Sequence, residues 1–378
     1  MTLVARFNVG NIPVMLADVL VSTDGEVPDT LNIPASAAIN KNFPDDHKLR
    51  IHSLVQKINV LSDRLIVAFS GDGDQAKDVA EVLSGIAHSI ILDEELVLST
   101  LDNIEVERKD KLQIIGVLTT PDSDDPNGFQ YRFFGNGVKK TYLGPSFGKM
   151  GVVAGSGIED FLEVLQAFSP NVGMLVSASE NSFIQAELLS AALACQFTGY
   201  EFSTGKNLMA SWGGGIELLV PWAGKFKKLD HIVHLFWKVV SDRKGRHRLV
   251  LEPRFVKNQY WDDTLLIRVV ELADRNGGQL LRDEVHLVPP VLKDVADYDF
   301  SELPEMNFDS KTLCNYVELR HEDGSIDCLS MVRHSLDDLD EFRYVKEEQF
   351  ARLSVRNEVV DEIAKQIFDR SGIRVEFD

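Results

Sequence analysis

Thr2-Leu-Val-Ala-Arg-Phe-Asn-Val-Gly10-Asn-Ile-Pro-Val-Met-Leu-Ala-Asp18 is the stretch on which the fold turns. Two apolar-rich runs meet at Gly10-Asn11, residue types that tolerate positive φ, so the segment reads as a β-hairpin that starts at the second residue. Its register decides which side chains share a face. A three-residue loop centred on Gly10 pairs Thr2 with Asp18, whereas a two-residue loop sends Asp18 to the face opposite Thr2, because side chains alternate with period two. A chemical partnership of Thr2 and Asp18 needs the three-residue loop. Thr2 is small enough for cellular aminopeptidase activity to remove Met1 ahead of it. That would leave a hydroxyl beside a free α-amine of pKa roughly 7.7–8.0, able to act as the hydroxyl's own base.

Outward from this hairpin, residues 24–50 hold three prolines and little periodicity and read as an inserted surface loop. Gln56-Lys-Ile-Asn-Val-Leu-Ser-Asp-Arg-Leu-Ile-Val-Ala-Phe-Ser-Gly71 reads as a second hairpin turning at Ser62-Asp63. Gly71-Asp-Gly-Asp74 supplies cap residues for a helix over about 74–88, and further helices are expected near 93–108, 158–168 and 181–197. Strands are expected at 112–119, 130–134 and 151–154. Two more, at 213–220 and 230–240, read as neighbours joined by a basic turn. Past 245 the pattern gives strands near 247–257, a helix at 262–276, a proline-marked linker over 286–308, a hairpin at 315–332 and an amphipathic helix near 346–370.

The order of strands, two helices, strands, two helices, strands, with a first hairpin apolar on both faces, implies an α+β protein built as a four-layer αββα sandwich. Residues 1–285 are assigned to this domain and 286–378 to a C-terminal α+β extension.

With 39 Lys and Arg against 59 Asp and Glu, a formal charge of -20 repels phosphate backbones, and nucleic acid is excluded as a partner. No apolar run approaches the roughly 18 residues of a membrane span, and no secretory leader is seen, so a cytoplasmic protein is expected. Cys195, Cys314 and Cys328 show no metal-ligand spacing. His231 and His234, three apart on a strand, point to opposite faces and fail as a metal pair.

Four landmarks in order make the chain resemble the β-type proteasome subunits and their bacterial relatives among the N-terminal-nucleophile hydrolases. These are a leading threonine, Thr2; an acid closing the second strand, Asp18; a strand lysine, Lys57; and a glycine after the next strand, Gly71. Ala154-Gly-Ser-Gly157 is similar to that family's glycine-serine-glycine ahead of its third helix. The likeness covers about 2–240. It departs at Asn207-Leu-Met-Ala-Ser-Trp212, which lacks the acid the family keeps near its glycine pair, and in the long C-terminal extension.

The resemblance implies a threonine-type peptidase. Thr2 would attack a carbonyl, Lys57 would favour the alkoxide, and Asp18 would hold Lys57 charged. The Gly71 N–H would meet the oxyanion, and Ser156 would position the amine or a water. It also implies peptide or protein substrates, a homo-oligomer of ring type, and neither cofactor nor metal. Two rivals stand beside this reading: a scaffold that keeps the fold without the chemistry, and an amidase for small molecules.

Overall fold

The computed structural model describes residues 2–22, 33–36, 51–104, 111–123, 128–144, 147–168, 181–222, 224–241, 244–274, 278–321 and 325–377. Apart from 33–36, the 24–50 loop therefore lies outside the described residues, as does 105–108 at the end of the helix expected near 93–108.

The opening hairpin forms as β1 (Leu3–Val9) and β2 (Ile12–Asp18). Its loop has two residues: Val9 pairs Ile12 and Val4 pairs Ala17, with Gly10 at φ 58. Alternation then splits the hairpin between two cores. Leu3, Ala5, Phe7, Val14 and Leu16 face one way into the largest cluster. Val4, Met15 and Ala17 face the other, against Ile58, Ile66, Ala68 and Ile115. The second group comes from a four-stranded antiparallel sheet of β5 (Ile58–Val60), β6 (Leu65–Gly71), β7 (Leu112–Pro121) and β8 (Phe129–Asn136). Between Asp18 and β5 in the chain, β3 (Leu20–Ser22) pairs antiparallel with β4 (Ile51–Leu54). β1 and β2 lie at the centre of a six-stranded sheet, ordered β12-β11-β2-β1-β10-β9, with β9 (Lys139–Gly144), β10 (Lys149–Gly155), β11 (Ile216–Trp222) and β12 (Lys225–Lys228).

Helices α1 (Gly73–Ile86) and α2 (Glu94–Asn103) pack on the four-stranded sheet through Val79, Ala80, Leu83, Val97 and Leu101. Asp72 and Asp93 cap them, accepting from the N–H groups of Gln75 and Leu96. α3 (Ile158–Phe168) and α4 (Ser182–Thr204) pack against the first face of the six-stranded sheet, and a single turn, α5 (Lys206–Met209), follows.

The expected four-layer αββα sandwich is not the architecture. Among the described residues, strands account for 49% and helices for 27%. The described residues form five sheets and six α-helices. A sandwich of that kind needs α4 as an outer layer, yet α4 is apolar around its whole circumference, buried from Ala186 through Phe202 on nearly every side. Its far side is covered by a seven-stranded sheet of β13 (Ile232–Ser241), β14 (His247–Trp261), β15 (Thr264–Leu272), β16 (Leu280–Val288), β17 (Ser310–Arg320), β18 (Ile326–Leu339) and the late strand β21 (Val375–Phe377). Gly199 brings α4 so near β17 that a Cβ there would lie 2.1 Å from the Tyr316 ring.

Two strand expectations change with this sheet. β11 and β13 are not neighbours: β13 pairs β14 antiparallel and β17 parallel, and the basic turn is itself strand β12. The helix expected at 262–276 is β15. Its sequence is buried on both faces, and such a run has no period to separate strand from helix. Strands on both sides of the 285/286 boundary share the seven-stranded sheet. Its outer face is covered by α6 (Asn357–Ser371), packed on Val233, Leu235, Leu313 and Val317 through Val359, Val360, Ile363 and Ile367. The hairpin β19 (Phe342–Glu347) with β20 (Phe350–Val355) adds Phe342 and Ala351 to the same cluster.

Candidate active site

Asp18 closes β2 with no exposed surface and gathers the groups around it. Its Oδ1 accepts from the Thr2 hydroxyl at 2.9 Å, from the Leu3 N–H at 2.7 Å and from the Lys57 ammonium. Its Oδ2 accepts from the Gly213 N–H at 2.8 Å. Thr2 and Asp18 therefore meet, although the loop has two residues and not the three that the sequence argument required. The premise fails because the ladder ends at Val4 and Ala17. Thr2 lies beyond the last pair, where alternation no longer assigns a face. Past Asp18, the Val19 and Leu20 N–H groups turn to the Gly213 carbonyl.

The Thr2 backbone is held from the opposite strand. Its carbonyl accepts from the Gly157 N–H at 3.3 Å. At Gly155, φ is 99° and a Cβ would stand 1.8 Å from that carbonyl oxygen, so only glycine allows this approach.

Lys57 enters just before β5. Its ammonium donates to Asp18 and, at 2.7 Å, to the Leu20 carbonyl. Burial pulls its pKa below the ordinary lysine value, with the carboxylates of Asp18 and Glu217 pushing back. Glu217, on β11, receives the Lys57 and Ile58 N–H groups at 2.5 and 2.9 Å and so anchors the turn that aims the lysine. Burial raises its pKa against the opposing charge of Lys228.

Gly71 shares one cleft with Thr2 and Lys57, walled by Leu20, Val55, Phe69 and Ala76. At φ 119 a Cβ there would lie 1.9 Å from the Lys111 carbonyl oxygen, so only glycine fits. Ser156 is not part of this constellation. It is exposed on the turn between β10 and α3, and its neighbours Gly155 and Gly157 make the contacts to Thr2.

The linker after β16 also reaches the site. Gln56 donates its N–H to the Pro289 carbonyl at 2.8 Å and its side-chain amide to the Asp263 and Val288 carbonyls at 2.7 and 2.8 Å, which brings Val291 to the cleft wall.

Two acids escaped the sequence reading. Besides Glu217 there is Glu201, on α4, which accepts from Asn207 Nδ2 at 2.7 Å and the Gly214 N–H at 3.0 Å. An acid thus does stand beside the glycine pair, supplied by the preceding helix and not by Asn207–Trp212. Burial raises its pKa to about 8, against its hydrogen bonds to Asn207 and Gly214. The available signal was at Glu217, an acid inside the apolar run Ile216-Glu-Leu-Leu-Val220, which marks a buried acid that has found partners, whereas Glu201 shares its helix with Glu187 among polar neighbours.

No protein-family model matches the chain, and no curated protein is significantly similar to it in sequence. Among the described residues, no helix is long and apolar enough to cross a membrane.

Proposed function

We infer that the chain is an N-terminal threonine hydrolase, acting as a peptidase through an acyl-ester on Thr2 once Met1 has been removed. The observation that carries this reading is the hydrogen-bonded series from the Thr2 hydroxyl to Asp18 to the Lys57 ammonium, beside a cleft that a carbonyl group could enter.

In the reaction, Thr2 Oγ1 forms a bond to the substrate carbonyl carbon and its proton passes to the α-amine of the same residue. The ammonium of Lys57 favours the alkoxide and, by like-charge repulsion, keeps that amine neutral. Asp18 orients both groups, and the Gly71 N–H faces the oxyanion, an interaction whose loss costs about 10²–10³ in rate. Collapse breaks the carbonyl–nitrogen bond, the amine product leaves with the proton, and water repeats the sequence on the ester. Peptide or protein substrates and ring assembly rest on the proteasome-like resemblance of Thr2, Asp18, Lys57 and Gly71, and a cytoplasmic location on a sparse cysteine set without a disulfide framework.

Intact-mass analysis, followed by treatment with a β-lactone or epoxyketone, tests the reading. Loss of Met1 and a single adduct on Thr2, absent in Thr2→Ala and Lys57→Ala, is the expected result. Retained Met1 with no adduct overturns it and leaves the scaffold. An adduct without cleavage of any peptide in a library points to the small-molecule amidase.

A further inference from the structure

A second constellation lies between α4 and the seven-stranded sheet, remote in sequence from the groups around Thr2. Cys195 comes from α4, His234 from β13 and Cys314 from β17, the last two held side by side by the parallel register of their strands. All three are buried, with 0%, 1% and 0% of their surfaces exposed. The two sulfurs and a ring nitrogen all lie within 4.8 Å of one another.

Neither nitrogen of His234 has a nitrogen or oxygen hydrogen-bond partner, a state that ordinary packing leaves costly, and the group that approaches its ring is the Cys195 thiol. The Cys314 thiol faces the Cys195 sulfur and makes a long contact, 3.7 Å, to the Ala191 carbonyl. A histidine buried for packing would be satisfied by a carbonyl or hydroxyl. This one faces two thiols.

We propose that Cys195, His234 and Cys314 bind a thiolate-seeking transition-metal ion, zinc, which staples α4 to β13 and β17. The donor set selects the ion. Thiolate and imidazole are the usual ligands of zinc, whereas magnesium and calcium require oxygen, which these three residues do not offer. Charge narrows the choice further. Two thiolates and a neutral imidazole around a divalent ion sum to zero, the balance a dry interior tolerates, while copper(I) would leave a net negative charge. Tetrahedral zinc distances set its ligands roughly 3.5–3.8 Å apart, against separations of up to 4.8 Å here, so the side chains close in by up to about 1 Å and the fourth position is left to a water. On binding, each thiol releases one proton to solvent and no electrons are exchanged. Because the site is closed, the ion enters as the chain folds.

The test is to refold the full chain under reducing conditions with zinc or cobalt(II) and measure bound metal and absorption. About one zinc per chain, and with cobalt an intense thiolate-to-metal charge-transfer band, is the expected result. Cys314→Ser and His234→Ala should lose both signals, and Cys328→Ser, outside the cluster, should keep them. A chain that refolds with zinc yet holds none, with no cobalt band, overturns the proposal. So does a thiol count on denatured, unreduced protein that shows Cys195 and Cys314 joined as a disulfide. The wild-type metal and thiol measurements decide the matter even where a variant fails to fold.

Discussion

Asp18→Asn is the sharpest perturbation of the Thr2 site, since it keeps the side-chain volume and removes the charge that four groups address. The carboxylate accepts three bonds at Oδ1 and one at Oδ2. An amide retains one acceptor oxygen for Thr2, Leu3 and Lys57, but turns an NH₂ toward the Gly213 N–H, donor against donor. The Lys57 ammonium also loses its counter-ion in a site where only 9% of its side chain is exposed. Breaking a buried pair from one side typically costs about 3–5 kcal/mol. Lysine escapes part of this by releasing its proton, because burial already lowers its pKa and Asp18 is the first of the forces opposing that shift.

The sign follows from linkage. Between the depressed folded pKa and the ordinary lysine value the unfolded chain binds more protons, so the variant gains stability as pH rises through that window. Urea melts should therefore place Asp18→Asn about 3–5 kcal/mol below the parent at pH ~6, with the gap narrowing toward pH ~9. β-Lactone labelling of Thr2 should slow by about 10²-fold or more. A variant that melts within about 1 kcal/mol of the parent at the lower pH and labels at the parental rate would refute the electrostatic account of this site.

Three further outcomes follow from neighbouring groups. The raised pKa of Glu201, about 8 against 4.5, means that the folded chain holds a proton the unfolded chain has lost across that interval. Stability contributed by this group is present below pH ~4.5 and falls by about 5 kcal/mol as pH rises through 8, and Glu201→Gln should flatten the difference in melts at pH ~5 and ~9. Gly71→Ala drives a Cβ into the Lys111 carbonyl at a φ that L side chains rarely adopt, and should cost about 2–3 kcal/mol or more in thermal melts while slowing labelling of Thr2. Glu217→Ala strips the acceptor from the Lys57 and Ile58 N–H groups, at about 1–3 kcal/mol each, and urea melts should show the sum.

Read alone, the sequence determined the local elements: the opening hairpin, the Lys57–Gly71 hairpin, the capped start of α1, the place of α2, and the span of α3. These depend on neighbours within a turn or two, where periodicity, glycine and capping residues act directly. It also singled out Thr2, Asp18 and Lys57, the first two as ends of one hairpin and the third through the resemblance of its hairpin to that of the proteasome-like hydrolases. The loop register stayed out of reach because Gly10-Asn11 suits either length, and what joins Thr2 to Asp18 is the fraying of the ladder at its end.

Tertiary structure alone decided the rest. It brought Glu217 to the Lys57 turn, Glu201 to the glycine pair, Val291 to the cleft, and Cys195, His234 and Cys314 to one point. It also laid the seven-stranded sheet over α4, which ended the four-layer expectation. Apolar runs buried on both sides carry no period, and strand partners separated by long stretches of chain are chosen by how surfaces close upon one another, information that no local window of residues contains.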